Sequence, residues 1–506
     1  MSATTRPAET AATAVRTYKN LIDGKWVAST ATAKVANRNP ANTDDVIGYA
    51  PNSTIEEARA AVTAAERALP AWRAVPAPRR GRILFDAWKI MERRADELAR
   101  ALTREEGKIL SESRGEVQKA LNVAEYIAGE GRRLNGETTS SELPSTFAYT
   151  VRVPLGVVSL ITPWNFPVAI PVWKAFPALV AGNTLVWKPA SNTPETATIL
   201  AEILQEAGLP AGVLNMVLGS GSTVGVEFTT NPAIRAVSFT GSNEVGGALY
   251  VSAAGGGRKV QCEMGGKNPI VILEDADLAL AIDATAQGAF GSTGQRCTAT
   301  SRAIVMESIA DKFVEGVVAR AKALRVGDGM LDGIDMGPSV DEAQMNTVLS
   351  YLDVAKGEGL KALCGGARMT DGAFAKGYFV APTVYDHVRP AMRIAHEEVF
   401  GPVLSVIRVK SFEEALAAAN DCRYGLSSSI YSHDSNRIFK FIDAIETGIT
   451  HVNSPTMGGE AHLPFGGTKS TGVGQREMGS TAIDFYTEWK TVYIDYTGQK
   501  RDTKMY

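Results

Sequence analysis

The chain has 506 residues, of which 45% are hydrophobic and 21% are charged, and its formal net charge at pH 7 is -3. This length and apolar content allow more than one domain with its own core and exclude a largely disordered protein. Because there is no basic surplus, neither a nucleic acid nor an anionic membrane surface is an expected partner.

The cysteines and histidines argue against a disulfide framework and against a metal. The cysteines, which are Cys262, Cys297, Cys364 and Cys422, are widely spaced and form no Cys-x-x-Cys pair. That usage is typical of a reducing compartment, so we expect a cytoplasmic protein. The histidines are scattered without the spacing of metal ligands, and no metal site is predicted.

The first segment, residues 1–17, is rich in alanine and threonine and has no apolar core of a secretory signal. We predict a flexible tail there. The long apolar stretch from Val168 to Val186 contains Pro171 and Lys174. These residues argue against a membrane span.

From Ser53 to Glu106 the apolar residues recur at helical spacing, and Ser53 followed by Glu56 predicts a capped helix start. Strand-like runs then alternate with helices, which is typical of an α/β protein with a mostly parallel sheet. The order strand, helix, strand, helix, strand predicts the core of a doubly wound nucleotide-binding sheet. Its members span residues 156–162, 170–181, 183–188, 193–207 and 212–219.

A second α/β series follows Glu263, which places a domain boundary near the Gly265-Gly266 pair. Its strands are predicted at 269–273 and 301–306, and its helices at 277–290 and 310–324. The segments 146–154 and 486–496 both alternate apolar and polar residues. We predict that they pair as a small sheet, and an exposed strand of this kind invites pairing with another subunit.

Three residues suggest covalent chemistry. Cys297 lies among small and polar residues that leave its sulfur approachable, as a nucleophile requires. Glu263 precedes a pair of glycines and is either a solvated carboxylate or a base that the flexible backbone lets swing. Asn165 is either a turn residue or, if it lies opposite Cys297, an amide donor to an oxyanion.

Other groups suit a ribose or a phosphate. Lys188 ends a predicted strand where open α/β sheets bind ligands, although a simple exposed lysine is the alternative. The Gly219–Gly225 loop has the spacing G-x-G-x-x-x-G, which alone is a weak signal. Ser242 is either a helix N-cap or a neighbour of a phosphate. Glu398 is a further acid beside a turn.

Together these motifs resemble those of the aldehyde dehydrogenase superfamily, in the same order and from about Leu21 to the last strand. The resemblance implies that Cys297 is the nucleophile, Glu263 the general base, and Asn165 with the Cys297 backbone N–H the oxyanion hole. It also implies a set of residues that hold an NAD or NADP cofactor: Ile161, Thr162, Pro163, Trp164, Lys188, Ala190, Ser191, Gly221, Gly225, Phe239, Thr240, Gly241, Ser242, Val245, Met264, Gly265, Glu398 and Phe400. A substrate funnel would be lined by Phe166, Ile170, Trp173, Gln295, Arg296, Thr298 and Phe465.

The same resemblance implies the architecture. We expect an α/β fold with a Rossmann-like NAD(P)-binding domain (residues 18–135 and 155–264), an α/β catalytic domain (265–470) and a small β extension for oligomerisation (136–154 and 480–506). The implied assembly is a homodimer or homotetramer.

The implied reaction is oxidation of an aldehyde to a carboxylic acid through a Cys297 thiohemiacetal and thioester, which Glu263 helps water to release. No metal is needed. Many NAD-preferring relatives carry an acid at the position of Ser191. Since serine does not repel a 2′-phosphate, we expect NADP to be accepted alongside or ahead of NAD.

The segments 291–302, 451–467 and 484–490 resemble the branch of the family that oxidises 2,5-dioxopentanoate (α-ketoglutaric semialdehyde). Succinate semialdehyde, glyceraldehyde 3-phosphate and an aromatic aldehyde are the alternative substrates. A CoA-acylating enzyme is a further alternative, although such relatives typically lack the acid found here as Glu263. An inactive structural homologue is the remaining one.

Overall fold

The computed structural model describes residues 15–500. Arg16 and Thr17 form a short strand beside Gly48 and Tyr49, and Arg16 is ion-paired with Glu195. The predicted tail, residues 1–17, therefore extends too far, because Arg16 and Thr17 belong to the folded part of the chain. Residues 1–14 lie outside the described part.

The N-terminal part combines short strands with long helices. Its elements are β1 (Arg16–Thr17), β2 (Asn20–Ile22), β3 (Lys25–Val27), β4 (Lys34–Asn39), β5 (Asn42–Pro51), α1 (Ile55–Ala74), α2 (Ala77–Arg93), α3 (Ala95–Glu106) and α4 (Leu110–Glu130). Thr54, not Ser53, caps α1, and it forms a capping box with Glu57. The Ser53 hydroxyl instead bonds the Asn20 side chain at 2.8 Å, so the predicted cap is wrong by one residue.

The next elements build the first large sheet. They are β6 (Thr138–Ser140), β7 (Thr146–Pro154), β8 (Val157–Ile161), α5 (Ala169–Ala181), β9 (Thr184–Lys188), α6 (Pro194–Glu206), β10 (Leu214–Met216), α7 (Val226–Thr230), β11 (Ile234–Thr240), α8 (Asn243–Gly255) and β12 (Lys259–Glu263). The strands run parallel in the order β12-β11-β8-β9-β10, and β2 and β3 extend the sheet beyond β10 in antiparallel pairing. The carboxyl ends of the parallel strands therefore meet at one edge.

The chain passes to a second sheet between β12 and β13, at the predicted boundary. The elements that follow are β13 (Asn268–Ile272), α9 (Leu278–Phe290), β14 (Thr300–Met306), α10 (Glu307–Ala323), α11 (Glu342–Gly357), β15 (Ala362–Cys364), β16 (Thr383–Tyr385), α12 (Arg393–His396), β17 (Val403–Val409), α13 (Phe412–Asn420), β18 (Tyr424–Gly425), β19 (Ser427–Tyr431), α14 (Ser435–Ala444) and β20 (Ile449–Val452). The sheet order is β15-β16-β17-β14-β13-β19-β20.

The C-terminal elements return to the earlier parts of the chain. They are β21 (Thr468–Lys469), β22 (Gly472–Val473), α15 (Thr481–Phe485) and β23 (Thr487–Asp495). β22 pairs with β12, so that Gly472 lies beside Glu263. β23 pairs with the whole of β7, from Thr487 opposite Pro154 to Asp495 opposite Thr146, which confirms the predicted small sheet.

Every residue of α5 is buried, which explains why Val168–Val186 is so apolar. This helix lies inside the largest hydrophobic cluster of the described residues, where it packs against β8 and β9 of the first sheet and against the helices α2 and α4. Within residues 15–500, no helix has both the length and the apolar content needed to cross a membrane.

Candidate active site

The loop before Cys297 has an unusual backbone. Ser292, Thr293 and Gly294 all adopt left-handed conformations, with φ values of 49°, 58° and 68°. A Cβ on Gly294 would lie 2.2 Å from the Gly401 carbonyl oxygen, so this position requires glycine. The Thr293 hydroxyl donates to the Gly337 carbonyl at 2.9 Å and fixes the loop. The strained turn at Ser292 to Gly294 therefore sets the direction of the backbone that leads to Cys297.

Cys297 lines a cavity of about 270 Å³ that we call the nucleophile cavity. The cavity lies at the carboxyl edge of the first sheet and is closed from the other side by the segment after α12. It brings together many of the predicted site residues with three others, Gln344, Thr347 and Val399. The predicted ones are Pro163, Trp164, Asn165, Ile170, Thr240, Gly241, Ser242, Met264, Gly265, Cys297, Glu398 and Phe400.

Asn165 is buried in the wall of this cavity, with 5% of its surface exposed. Its Nδ2 donates one hydrogen to the Gln295 carbonyl at 3.1 Å. Since an amide nitrogen carries two hydrogens, the second is left for the cavity. The bond to Gln295 ties Asn165 to the Cys297 loop, so the amide is held in a fixed orientation relative to the sulfur.

A buried charge pair that the sequence analysis did not identify supports Asn165 from behind. Lys108, just before α4, donates to the Asn165 backbone carbonyl and is paired at 2.8 Å with Glu116. Glu116 in turn accepts from the backbone N–H groups of Val168 and Ala169, where α5 begins. Lys108 and Glu116 are nearly inaccessible to solvent. This network holds the segment that carries Asn165.

Glu263 ends β12, and its carboxyl group is buried. Its Oε2 lies beside Gly466 and Gly472, 3.1 Å and 3.3 Å from where a Cβ on each would stand, while Oε1 has no partner in the described residues. Burial, together with the charge of Glu477, raises the pKa of Glu263 well above its usual value. Glu263 is not part of the lining of the nucleophile cavity, so its carboxyl group must turn to reach a group bound at Cys297.

The surroundings also shift the pKa of the Cys297 thiol. Burial raises its pKa, and the nearby carboxyl groups of Glu263 and Glu398 add to the effect. The backbone N–H of Thr298 acts in the opposite direction. The surroundings of Cys297 on balance favour the thiol over the thiolate.

A second buried ion pair lies close to Glu263. Lys174 on α5 is fully buried and is bonded to Glu477 and to the Ser238 hydroxyl. The sequence offered one signal for it, because a lysine in an otherwise apolar helix must have a buried partner. From the sequence, Lys174 argues only against a membrane span.

A second cavity of about 140 Å³, which we call the Ser191 cavity, lies at the end of β9. Its lining includes Pro189, Ala190, Ser191, Gly219 and Ser220. The predicted glycine loop forms a π-helical turn at Gly221–Gly225, and a Cβ on Gly225 would be 3.6 Å from the Lys188 side chain.

Lys188 itself is buried, so the alternative of an exposed lysine is wrong. Its Nζ donates to the Pro189 carbonyl at 3.1 Å, and burial lowers its pKa to about 8.

These two cavities suit a dinucleotide that lies along the carboxyl edge of the sheet. Thr240 in the nucleophile cavity has a buried hydroxyl without a partner in residues 15–500. Ser242 caps α8 and accepts from Val245 at 3.4 Å, so it is an N-cap beside the cavity. Glu398 accepts from the Gly266 N–H at 2.8 Å, and burial raises its pKa to about 7.

Of the remaining predicted cofactor residues, Trp164 and Phe400 line the nucleophile cavity, whereas Ile161, Thr162, Gly221, Phe239 and Val245 line neither cavity. Phe400 has a left-handed backbone (φ 54°) and packs edge-on against Trp164 at 5.5 Å. The Thr162 hydroxyl accepts from the Trp187 indole at 2.9 Å. Ile161 and Phe239 are buried in the core, Gly221 faces open space, and Val245 is exposed on α8.

The structure brings only some of the predicted funnel residues together. Trp173 and Phe465 lie with their rings 5.3 Å apart, and together with Ile170 they belong to the apolar cluster against which Phe166 and Cys297 pack. Arg296 is turned to Glu112, at 3.1 Å, and to Ser292.

The prediction that Gln295 lines the substrate funnel is wrong. Its side chain bonds the backbone of Pro338 and Val340, because the left-handed turn directs it toward that segment and not toward the funnel. Thr298 is buried, and its carbonyl accepts from the Thr456 hydroxyl at 2.8 Å. In the described part of the chain, no group of three or more His, Cys, Asp or Glu side chains could hold a metal ion.

Comparison with known proteins gives consistent matches. Residues 26–492 match the aldehyde dehydrogenase family. An α-ketoglutaric semialdehyde dehydrogenase of Bacillus subtilis is 46% identical over 94% of this chain and 98% of its own length. An α-ketoglutarate semialdehyde dehydrogenase of Haloferax volcanii is 47% identical over 94% of this chain and 99% of its own length. The crystal structure of betaine aldehyde dehydrogenase from Staphylococcus aureus in complex with NAD+ superposes with a TM-score of 0.93, at 36% identity and 95% coverage of each chain.

Proposed function

The chain belongs to the aldehyde dehydrogenase family, and we propose that it oxidises α-ketoglutaric semialdehyde (2,5-dioxopentanoate) to 2-oxoglutarate with NAD or NADP. The observation that carries this proposal is the nucleophile cavity, which Cys297 and Asn165 both line at the carboxyl edge of the sheet. The substrate is supported by the identity of 46% to 47% with semialdehyde dehydrogenases over nearly the whole chain.

Cys297 begins the reaction. Its sulfur, once deprotonated, attacks the aldehyde carbon, so that a C–S bond forms and the carbonyl electron pair moves to the oxygen. We assign the stabilisation of this oxyanion to Asn165 Nδ2 and to the backbone N–H of Cys297. One such donor contributes roughly 3 to 4 kcal/mol at comparable sites. The bond from Asn165 to Gln295 supports this role, because it fixes the amide before substrate arrives.

The residues that would hold the nicotinamide cofactor are Lys188 and Ser191 at the adenosine end and Thr240, Ser242, Glu398 and Phe400 at the nicotinamide end. When bound, the nicotinamide supplies the acceptor for the hydride that the Cys297 adduct must lose to become a thioester. Cys297 then carries the acyl group.

Glu263 completes the cycle. In its deprotonated form it takes a proton from a water molecule, which attacks the thioester carbon, breaks the C–S bond and releases the carboxylic acid and the thiolate. The glycines after Glu263, and Gly466 and Gly472 beside its carboxyl group, leave room for the turn that this step requires.

A substrate panel tests the proposal. With purified protein we expect the highest kcat/KM for 2,5-dioxopentanoate, ahead of succinate semialdehyde, glyceraldehyde 3-phosphate and benzaldehyde, followed as NADH or NADPH formation. The activity should not require CoA, and adding CoA should produce no acyl-CoA. Faster oxidation of another aldehyde would contradict the substrate, and CoA-dependent turnover would contradict the hydrolytic step.

Ser191 supports the use of NADP, because an exposed hydroxyl in the Ser191 cavity does not repel a 2′-phosphate. We expect Ser191→Glu to lower the ratio of kcat/KM with NADP to that with NAD by at least about tenfold, which corresponds to about 1.4 kcal/mol. Ser191→Gln is the matched control, since it has the size of glutamate without the charge and should change the ratio far less. An unchanged ratio in Ser191→Glu would show that this position does not sense the phosphate.

We also propose that the chain assembles into a homo-oligomer through the β23-β7-β6 sheet. β23 is an edge strand whose side chains Trp489 and Tyr493 are 51% and 69% exposed in the single chain. Apolar side chains on an exposed edge favour pairing with another copy. A mass by light scattering equal to a single chain would contradict this assignment.

A further inference from the structure

One face of the first half of α4 carries side chains that contact segments around the active site. Glu112, Glu116 and Lys119 recur at helical spacing and share that face. Glu112 accepts from the Ser292 N–H in the loop before Cys297, and Glu116 holds the start of α5. Lys119, the next side chain of the row, donates to the Gly459 carbonyl.

Lys119 therefore lies against the substrate funnel. A Cβ on Gly459 would stand 3.8 Å from the Lys119 Nζ and 3.5 Å from the Phe465 ring. Phe465 packs on Trp173, and both belong to the cluster that Cys297 contacts. The ammonium group thus borders the apolar wall that leads to the nucleophile.

Lys119 differs from the neighbouring cations Lys108 and Arg296 in having no carboxylate partner. Lys108 is paired with Glu116, and Arg296 with Glu112. Within residues 15–500, no carboxylate oxygen lies within 4.0 Å of Lys119, and a backbone carbonyl is its acceptor. Burial lowers its pKa to about 8, against the opposing charge of Glu460. A partly desolvated ammonium of this kind gains from an anionic ligand.

The wall contains a second unused donor. Trp173 is 6% exposed, and its indole Nε1 has no acceptor in the described part of the chain. A buried N–H without a partner is costly unless a bound group satisfies it. An apolar wall with a free indole N–H and an unpaired ammonium suits a short aldehyde that ends in a carboxylate.

We propose that Lys119 determines specificity by binding the distal carboxylate of an ω-oxo acid whose aldehyde carbon lies at Cys297. This inference rests on the proposed function, because it names the group that would recognise the acid end of a semialdehyde. Arg296 does not take this role, since Glu112 already neutralises it.

The test compares matched pairs of aldehydes in which a methyl group replaces the carboxylate: succinate semialdehyde with butanal, and 2,5-dioxopentanoate with 4-oxopentanal. In Lys119→Met we expect kcat/KM for the carboxylate-bearing member to fall by about 10- to 100-fold, mainly through KM, as for loss of a charged hydrogen bond. The uncharged member should change by less than about twofold, by the same reasoning. Lys119→Arg should keep most of the preference.

Arg114→Met is the matched control, because it removes a cation from the same helix on its exposed side, where Arg114 pairs with Asp96. It should leave both members of each pair unchanged. Equal losses for charged and uncharged aldehydes in Lys119→Met would overturn the inference, and so would no loss for either. A parent protein that prefers succinate semialdehyde to 2,5-dioxopentanoate would overturn the proposed substrate but leave the role of Lys119 intact if the ratio still falls.

Discussion

Replacing Cys297 by alanine is expected to lower kcat by at least about 10⁴-fold for every aldehyde, because removal of a covalent nucleophile leaves only binding and the oxyanion donors. The cavity that would receive the cofactor is lined largely by other residues. Binding of NAD or NADP, followed by fluorescence quenching, should therefore remain within about twofold of the parent value.

Cys364→Ala is the control for this substitution. Cys364 lies in β15 at the edge of the second sheet, and the alanine variant should retain full activity. If the Cys297→Ala protein oxidised its best substrate as fast as the parent, Cys297 would not be the nucleophile.

Glu263→Gln should separate the two halves of the reaction. The amide cannot accept a proton from water, so steady-state turnover should fall by about 10²- to 10⁴-fold. The first turnover should survive as a rapid burst of NADH or NADPH, close to one equivalent per active site. Stopped-flow absorbance measures both phases in one experiment.

The pH dependence of steady-state turnover is a second test of Glu263 as the base. Burial raises the pKa of Glu263, and the base acts only when deprotonated. Steady-state turnover of the parent should therefore rise with pH above the usual range of a glutamate, up to that raised pKa. Glu263→Gln should lose this rise, whereas Glu66→Gln, a change of an exposed carboxylate on α1, should keep it. A variant that shows neither a burst nor a lower rate would exclude Glu263 as the base.

The predicted parts of the fold are those that local patterns determine. The strands β8, β9 and β10 and the helices α5 and α6 lie where apolar runs and helical spacing placed them. The sheet order and the pairing of β22 beside Glu263 depend on contacts between distant segments. The sequence pattern of a single segment cannot predict such contacts. The cap of α1 was misplaced by one residue, since Ser53 and Thr54 are both good caps and only the contact with Asn20 separates them.

In the site, too, local motifs could be predicted and contacts between distant segments could not. Cys297, Glu263 and Asn165 lie in short motifs, so the residues around them and the family resemblance were enough to predict them, and their catalytic roles stay predictions. Lys108 and Glu116 could not be predicted in this way, because their function depends on α4 packing against the start of α5. The family resemblance implied that Gln295 lines the funnel, but its side chain bonds the Val340 backbone, after the left-handed turn at Ser292 to Gly294.

The central claim is that the sulfur of Cys297 carries the substrate as an acyl group. Rapid acid quench of Glu263→Gln after mixing with 2,5-dioxopentanoate and cofactor, followed by peptide mass spectrometry, tests it directly. The account predicts that the peptide containing Cys297 gains the mass of the acyl group in proportion to the NADH or NADPH formed. Reduced cofactor formed with no adduct, or with the adduct on another residue, would contradict it.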